Sequence, residues 1–332
     1  MAKTHCENPA PFAVGDGLTV AAEPTIALLN GARRAQETPT AALYATVSYY
    51  WALTKPEVNF LILITTFAGF YLASTISPEK FHPLLAFHTL LGTLLVAGGT
   101  ATLNQALECP FDQQMRRTAR RPIAAGNIQR SHAFFFGVSL ASIGAAYLYI
   151  EVNRLACLLA MITLATYLFV YTPLKRVTPL CILVGAFPGA MPPLIGWAAA
   201  RGRLDLEVWV LYGIVFLWQF PHFMAIAWMY REDYARAGYL VLPLNEQRDR
   251  YVIWQSFVAS LILLAVSLVP AVYEKSSLVY FAGALTIGTI FTYYSARLAL
   301  RKSNASARQL LVASILYLPA ILVLMMLDQR SP

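Results

Sequence analysis

Charged side chains are scarce in this 332-residue chain. Asp, Glu, Lys and Arg make up only 13% of it, 58% is hydrophobic, and the mean hydropathy is +0.55. Soluble domains carry roughly a quarter charged residues, so this composition excludes an ordinary soluble protein. The sequence therefore predicts an integral membrane protein. The usual estimate of about two soluble domains for this length does not apply when most of the chain lies in lipid.

Closely spaced cysteines are also missing, and we expect no targeting signal. The first 45 residues lack a charged segment followed by an apolar core, which argues against a secretory signal, and their acids argue against a mitochondrial transit peptide. We expect residues 1–45 to form a loosely ordered cytoplasmic tail and residues 46–328 to form a transmembrane domain. No CxxC spacing, which would indicate a zinc site, occurs among the four cysteines Cys6, Cys109, Cys157 and Cys181.

Apolar segments long enough to cross a bilayer recur along the chain. The sequence predicts an all-α bundle of nine transmembrane helices around a central cavity. The predicted spans are 57–77, 84–107, 131–150, 154–172, 178–200, 207–229, 251–273, 277–298 and 308–327.

The Lys and Arg residues are distributed unevenly between the two sides of this topology. Nineteen of the 25 fall on the side of the N-terminus and of the connectors after the even-numbered spans. The positive-inside rule then places the N-terminus in the cytoplasm and, after nine spans, the C-terminus outside. We expect a multi-pass protein of the cell inner membrane. The same bias explains the net charge of +8, so no nucleic-acid partner is needed.

A row of oxygen-bearing side chains closes the second span. Asn104, Glu108 and Asp112 are spaced i, i+4, i+8, so a helix would place them on one face. Carboxylates at a membrane helix end need a positive partner. Mg²⁺ is a candidate, because it prefers oxygen ligands and a substrate phosphate can complete its shell. We call these three residues the acidic row.

Four arginines follow the acidic row within one connector. Guanidinium groups match phosphate oxygens, so row and connector together indicate a metal–diphosphate site. The alternative is a topological anchor whose arginines form surface ion pairs with the acids. We call this connector the arginine loop; its arginines are Arg116, Arg117, Arg120 and Arg121.

A second acidic helix end follows the sixth span. His222, Met229 and Asp233 are spaced i, i+7, i+11, which predicts one helix face, with Arg231 and Asp233 near water. The pattern suggests two acid-bearing helix ends facing each other across the cavity. His222 alone has two readings, a hydrogen-bonded core residue or a ligand of haem iron.

Two features lie between these ends. Tyr171 and Lys175, at i and i+4 after the fourth span, could both reach a phosphate, or they could be an interfacial tyrosine and a snorkelling lysine. The fifth span holds three prolines and three glycines between Gly185 and Gly196. Irregular backbone at that depth is tolerated where it lines a cavity or is buried in protein.

These motifs resemble a known superfamily, the intramembrane prenyltransferases related to 4-hydroxybenzoate polyprenyltransferase. Within it, the continuation MxRTxxRP after the acidic row is similar to the protohaem IX farnesyltransferases, or haem O synthases. The resemblance covers about residues 50 to 325. It departs at Glu108, where Asp is usual, and at Glu57, where many members have Arg. The other similar stretches are Leu53–Pro56, Tyr171–Arg176, Trp218–Phe223, Asp233–Tyr234 and Ala237–Gly238.

The resemblance implies a nine-helix bundle whose active site opens to the cytoplasmic face. It implies Mg²⁺-dependent transfer of a farnesyl group from farnesyl diphosphate to a vinyl group of haem b, giving haem O. The expected partners are these substrates, the bilayer, and a downstream haem A synthase or the assembly of a terminal oxidase. The expected metal ligands, also the catalytic groups together with Lys175, are Asn104, Glu108, Asp112 and Asp233. The expected substrate-binding residues are Arg117, Arg121, Tyr171 and Arg231 for the diphosphate and His222 for haem.

Three other functions remain open at this point. A polyprenyltransferase acting on a quinone or chlorophyll precursor would use the same mechanism. A transporter would place charges along an ion path, whereas the acids here cluster at one membrane face. A non-catalytic haem chaperone would need His222 but no acidic row.

Overall fold

A computed structural model describes residues 39–76, 81–241, 246–273 and 277–328. These ranges consist of helices and of the connections that lie within them. No strand occurs within these ranges. The helices are α1 (Pro39–Leu53), α2 (Pro56–Ile76), α3 (Pro83–Asp112), α4 (Arg130–Glu151), α5 (Arg154–Leu174), α6 (Cys181–Gly189), α7 (Met191–Arg201), α8 (Glu207–Met229), α9 (Arg231–Arg236), α10 (Glu246–Ser267), α11 (Val269–Tyr273), α12 (Leu278–Arg301) and α13 (Asn304–Asp328).

Nine segments in these ranges are long and apolar enough to cross a membrane, which confirms the predicted all-α membrane architecture. The segment Cys181–Arg201 combines α6 and α7, and Ile253–Val272 combines parts of α10 and α11. Large apolar side chains such as Phe135, Ile150 and Phe169 remain exposed on the bundle surface, as expected for side chains that face lipid. The largest boundary difference is in α3, which runs to Asp112, five residues beyond the predicted end.

Small residues let the central helices approach closely. A Cβ atom on Gly69 of α2 would lie 2.2 Å from the carbonyl oxygen of Pro193 in α7. One on Gly196 would lie 1.9 Å from the carbonyl oxygen of Thr66. Membrane helices associate through such small-residue contacts, because lipid supplies no hydrophobic drive between them. The contact fixes α2, and with it the turn before α2, against the centre of the bundle.

Two spans have irregular backbone. The fifth breaks at Ala190 between α6 and α7, which confirms the expectation drawn from its glycines and prolines. The fourth, α5, contains a π-helical turn at Thr166–Tyr171. Such turns re-aim the side chains that follow and often occur at functional sites. This turn directly precedes Thr172 and Lys175.

Two sequence expectations need comment. The single helix face predicted for His222, Met229 and Asp233 is wrong, because the chain breaks at Tyr230 and Asp233 lies on the separate short helix α9. The domain boundary predicted at residue 45 falls inside α1. Residues 1–38 lie outside the described ranges, so the division into tail and membrane domain stays a prediction, as do the membrane orientation and the side to which a cavity opens.

Candidate active site

The acidic row lies on the last turns of α3 and is buried. Asn104, Glu108 and Asp112 are 1%, 5% and 1% exposed. The helix continues through Pro110, so the three side chains share one face, as the spacing predicted. A buried carboxylate is stable only when a cation or hydrogen-bond donors compensate it. Each member of the row has such a partner.

Glu108 is paired with Lys175, which follows the end of α5. The lysine Nζ lies 2.7 Å from Oε1 of Glu108 and 4.5 Å from the centroid of the Tyr171 ring. Burial alone would lower the pKa of Lys175, but the Glu108 carboxylate outweighs burial and holds that pKa well above its ordinary value. Lys175 is therefore a fixed positive charge beside the row.

Asp112 is paired with Arg121 of the arginine loop. One guanidinium nitrogen, Nη1, donates to both carboxylate oxygens, at 2.8 Å and 2.7 Å. The loop is folded back onto the end of α3, because the Thr118 hydroxyl donates to the carbonyl oxygen of Asp112 at 3.0 Å. The local fold of the loop thus delivers an arginine to the row.

Asn104 joins two further elements to the row. Its Oδ1 accepts a hydrogen bond from Nζ of Lys55, in the turn between α1 and α2, at 2.9 Å. Its Nδ2 donates to Oγ1 of Thr172, just after the π-helical turn, at 3.2 Å. Burial and the nearby positive charges of Arg121 and Lys175 lower the pKa of Lys55 to about 7. Three basic side chains, Arg121, Lys175 and Lys55, therefore lie beside the row.

Asp233 contacts the arginine loop from the second acid-bearing end. Its Oδ2 accepts from the backbone N–H of Arg117 at 3.2 Å, and its Oδ1 pairs with Arg236. The exposed Arg117 side chain lies over the Tyr230 ring, 5.0 Å from its centroid. The backbone of the arginine loop thus joins the two acid-bearing ends. The sequence predicted that these ends face each other across a cavity, and that arrangement stays a prediction.

Arg231 and His222 have other partners. Arg231 donates to Oδ1 of Asn304 at 2.9 Å. Nδ1 of His222 lies 2.8 Å from the Ser314 hydroxyl oxygen, and the imidazole ring stacks on Trp218 with centroids 4.6 Å apart. No contact found among the described residues joins either side chain to the acidic row. Their predicted roles in binding diphosphate and haem stay predictions.

A cavity of about 300 Å³ lies between α3 and α5, with Glu108 in its wall. Two residues of its lining, Leu107 and Phe169, are exposed on the lipid-facing surface. The cavity therefore connects the neighbourhood of the row with the apolar exterior of the bundle. The remaining lining residues are Phe111, Leu168, Thr172, Pro173, Arg176 and Tyr239.

Tyr239 is a site residue that the sequence analysis missed. Burial and the negative charge of Glu108 raise its pKa, and its ring lies 5.8 Å from that of Phe111. The segment is tied to the site by the backbone N–H of Leu240, which donates to the carbonyl oxygen of Lys175 at 2.8 Å. The sequence carries no signal for this contact, because it joins segments far apart in the chain.

Lys55 and Thr172 were also given no role from sequence. A signal existed for both, since each lies in a stretch that carries the family resemblance. A lysine directly before the proline that begins a span is an unusual place for a buried charge. The threonine follows Tyr171 directly and faces Asn104 because of the π-helical turn.

The chemistry of the donor set fits a magnesium ion that binds together with a phosphate. No three acidic, histidine or cysteine side chains within the described ranges lie close enough to hold a metal ion by themselves. Mg²⁺ usually takes only one or two protein carboxylates and completes its shell with water and substrate phosphates. The buried oxygens of Glu108 and Asp112, with the Asn104 amide beside them, satisfy that need.

Comparison with known proteins identifies the family of this chain. Residues 62–318 match the model of the UbiA prenyltransferase family. The chain belongs to this family. It is similar to "Protoheme IX farnesyltransferase" of Solibacter usitatus, with 46% identity over 286 residues that cover 84% of this chain and 98% of the relative.

Solved structures of low identity share the fold. A digeranylgeranylglyceryl phosphate synthase superposes with a TM-score of 0.70 at 15% identity, covering 85% of this chain and 98% of that one. A UbiA homologue from Archaeoglobus fulgidus, solved with GPP and Mg²⁺, has a TM-score of 0.59 at 15% identity, with coverage of 83% and 99%. The predicted membrane prenyltransferase fold is thereby confirmed.

Proposed function

We propose that this prenyltransferase moves the farnesyl group of farnesyl diphosphate to a vinyl group of protohaem IX (haem b), giving haem O. The bond between the farnesyl carbon and the diphosphate oxygen breaks, a carbon–carbon bond to the vinyl group forms, and one water molecule adds to the vinyl carbon that is left positively charged, losing a proton. The similarity to a protein named Protoheme IX farnesyltransferase supports the two substrates. The observation that carries the chemistry is the buried acidic row surrounded by Lys55, Lys175 and Arg121. Carboxylates suit the metal ion, and the basic side chains beside them suit the diphosphate. Anchoring a loop at the membrane would not require so many buried charged groups.

The residues of this chain have separate tasks in the proposed reaction. Lys175 and Arg121 donate to the diphosphate oxygens, and the hydroxyl of Tyr171 and the guanidinium of Arg117 assist. Arginine and lysine donors of this kind stabilise negative charge as it develops on a leaving group. Magnesium, when bound, would supply further positive charge to the departing diphosphate. Its expected ligands are Asn104, Glu108, Asp112 and Asp233.

Exclusion of water is the second requirement. Departure of the diphosphate leaves an allylic cation, which water would capture. The cavity between α3 and α5 is walled mainly by apolar and aromatic side chains. Aromatic faces such as those of Phe111 and Tyr239 stabilise positive charge, and the apolar part of the wall keeps water from the allylic cation until that cation has attacked the vinyl group.

The acceptor side rests on fewer contacts. We assign His222 to haem contact and keep Arg231 as a ligand of the diphosphate, the two roles that the sequence predicted. We place the protein in the cell inner membrane with its N-terminus in the cytoplasm and its C-terminus outside. A downstream haem A synthase, or the assembly of a terminal oxidase, would consume the product.

Product analysis with purified protein tests this function. Incubation with farnesyl diphosphate, haem b and Mg²⁺ is expected to give a farnesylated haem by mass spectrometry. 4-Hydroxybenzoate, supplied in place of haem, is expected to stay unmodified. Prenylation of 4-hydroxybenzoate with haem untouched would establish the quinone-precursor alternative. No prenylated product from either acceptor would contradict the enzymatic reading and favour a transporter or a haem chaperone.

A further inference from the structure

Lys55 differs from the other cations around the acidic row in the partner that it has. Lys175 and Arg121 each bind a carboxylate, and so does Arg236 beside Asp233. The hydrogen bond found for the Lys55 ammonium goes to the uncharged amide oxygen of Asn104. An ammonium has three donors, so Lys55 can accept an anionic ligand without giving up an ion pair.

The backbone at Lys55 is held in an unfavourable conformation. Its φ is +53°, in the left-handed region that residues with a Cβ atom rarely adopt. Two buried amide side chains fix the turn. Nδ2 of Asn59 donates to the carbonyl oxygen of Thr54 at 2.8 Å, and Nε2 of Gln105 donates to that of Leu53 at 2.9 Å.

The two amide side chains that hold the turn at Lys55 belong to helices that also contribute to the site. Asn59 lies in α2 and is 2% exposed, while Gln105 lies in α3 next to Asn104 and is 1% exposed. The ammonium of Lys55 therefore has a fixed position relative to the acidic row. A lysine that only anchors the chain at the membrane surface can rotate freely, so it does not require amide side chains that hold its backbone in place.

We propose that Lys55 binds the diphosphate of the prenyl donor directly, and that Asn59 and Gln105 are positioning residues that hold it there. The inference rests on the proposed function, because it assigns a further ligand to the same donor.

Inorganic diphosphate is the probe for this assignment, because it carries the head group without the prenyl chain. Its inhibition constant against farnesyl diphosphate would be measured for the full-length wild-type chain and for Lys55→Met, Lys55→Arg and Lys302→Met. Lys302 is a matched control, since it also has a left-handed backbone, with φ +46°, but follows the end of α12 as its cap. No contact found among the described residues joins it to the row. Loss of one charge-assisted hydrogen bond weakens binding about ten- to a hundredfold.

The expected result is a weakening of that size for Lys55→Met, partial recovery for Lys55→Arg, and no change for Lys302→Met. Diphosphate inhibition of Lys55→Met equal to that of wild type would overturn the assignment. If Lys55→Met does not insert, Lys55→Gln takes its place, because its amide can still bond to Asn104 without the charge.

The positioning residues have their own readout. Asn59→Ala and Gln105→Ala are expected to raise KM for farnesyl diphosphate about three- to tenfold, with KM for the acceptor unchanged. Equal changes in both KM values would show a general loss of structure and contradict the positioning role. Direct binding of inorganic diphosphate by calorimetry needs no acceptor. Failure of the haem reaction in the wild type therefore remains distinguishable from failure of the Lys55 assignment.

Discussion

The two acid-bearing helix ends of this protein differ in how their polar groups are partnered. At the end of α3, two buried carboxylates and an amide each meet a cation from a different segment of the chain. At the end of α8 and in α9, one acid pairs with a half-exposed arginine, Arg236, while Arg231 and His222 bond to uncharged groups of α13. Charged groups of both signs are therefore buried close together at the first end, whereas at the second end they are fewer and partly exposed.

The difference shows which end suits a diphosphate. Desolvating a carboxylate and a cation costs several kcal/mol for each ion, and their attraction only partly returns this. Three cations in one buried place are therefore a poor solution for stability alone. An anionic ligand and a metal ion would use both signs of charge. The second end makes no comparable arrangement, so the first end is the better place for most of the diphosphate charge.

The largest effect is expected from Asp112→Asn. The substitution keeps the shape of the side chain but removes the negative charge that faces Arg121, so turnover is expected to fall about 10²- to 10³-fold. The measurement is the rate of farnesylated product by mass spectrometry. The matched control is Asp205→Asn, because Asp205 also pairs with arginines, Arg201 and Arg203, but lies outside the site.

Asp205→Asn is expected to leave turnover within about twofold of wild type, since ion pairs near the surface are worth less than about 1 kcal/mol. Wild-type turnover in Asp112→Asn would refute the metal role of the acidic row. Equal losses in both variants would point to a general effect of removing an arginine-paired aspartate.

A second pair of substitutions compares the contributions of the two ends to donor binding, and its expected effect is smaller. Lys175→Met is expected to weaken farnesyl diphosphate binding about ten- to a hundredfold, because a buried charge-assisted donor is lost. Arg236→Met is expected to weaken it less than about fivefold, because the Arg236 side chain is 42% exposed. Radiolabelled donor binding measures both. A larger effect from Arg236→Met would reverse the comparison and move the diphosphate to the second end.

Much of the fold was predictable because it depends on local pattern. Apolar length gives the nine spans, and the i, i+4, i+8 spacing places the acidic row on one face once the helix reaches Asp112. The break at Tyr230 was not predictable in this way. Nothing in the stretch from Met229 to Asp233 marks a helix end, because it has neither glycine nor proline.

Which basic side chain meets which member of the acidic row could not be predicted from the sequence. Lys55 lies 49 residues from Asn104 along the chain, and Lys175 lies 67 from Glu108. Which cation meets which acid depends on how α2, α3 and α5 pack, and the π-helical turn of α5 shifts the residues that follow it. Most members of the site could therefore be predicted from the sequence, but the contacts of Lys55, Thr172 and Tyr239 could not.

The central claim is that the acidic row and its cations bind a diphosphate together with magnesium. The most direct measurement is the affinity of the purified chain for farnesyl diphosphate, without haem, in Mg²⁺ and in EDTA. We predict that farnesyl diphosphate binds at least about tenfold more tightly with Mg²⁺. When Lys175 and Arg121 turn to the diphosphate, Mg²⁺ would replace them as the positive charge beside Glu108 and Asp112. Equal affinity in Mg²⁺ and in EDTA would contradict the central claim.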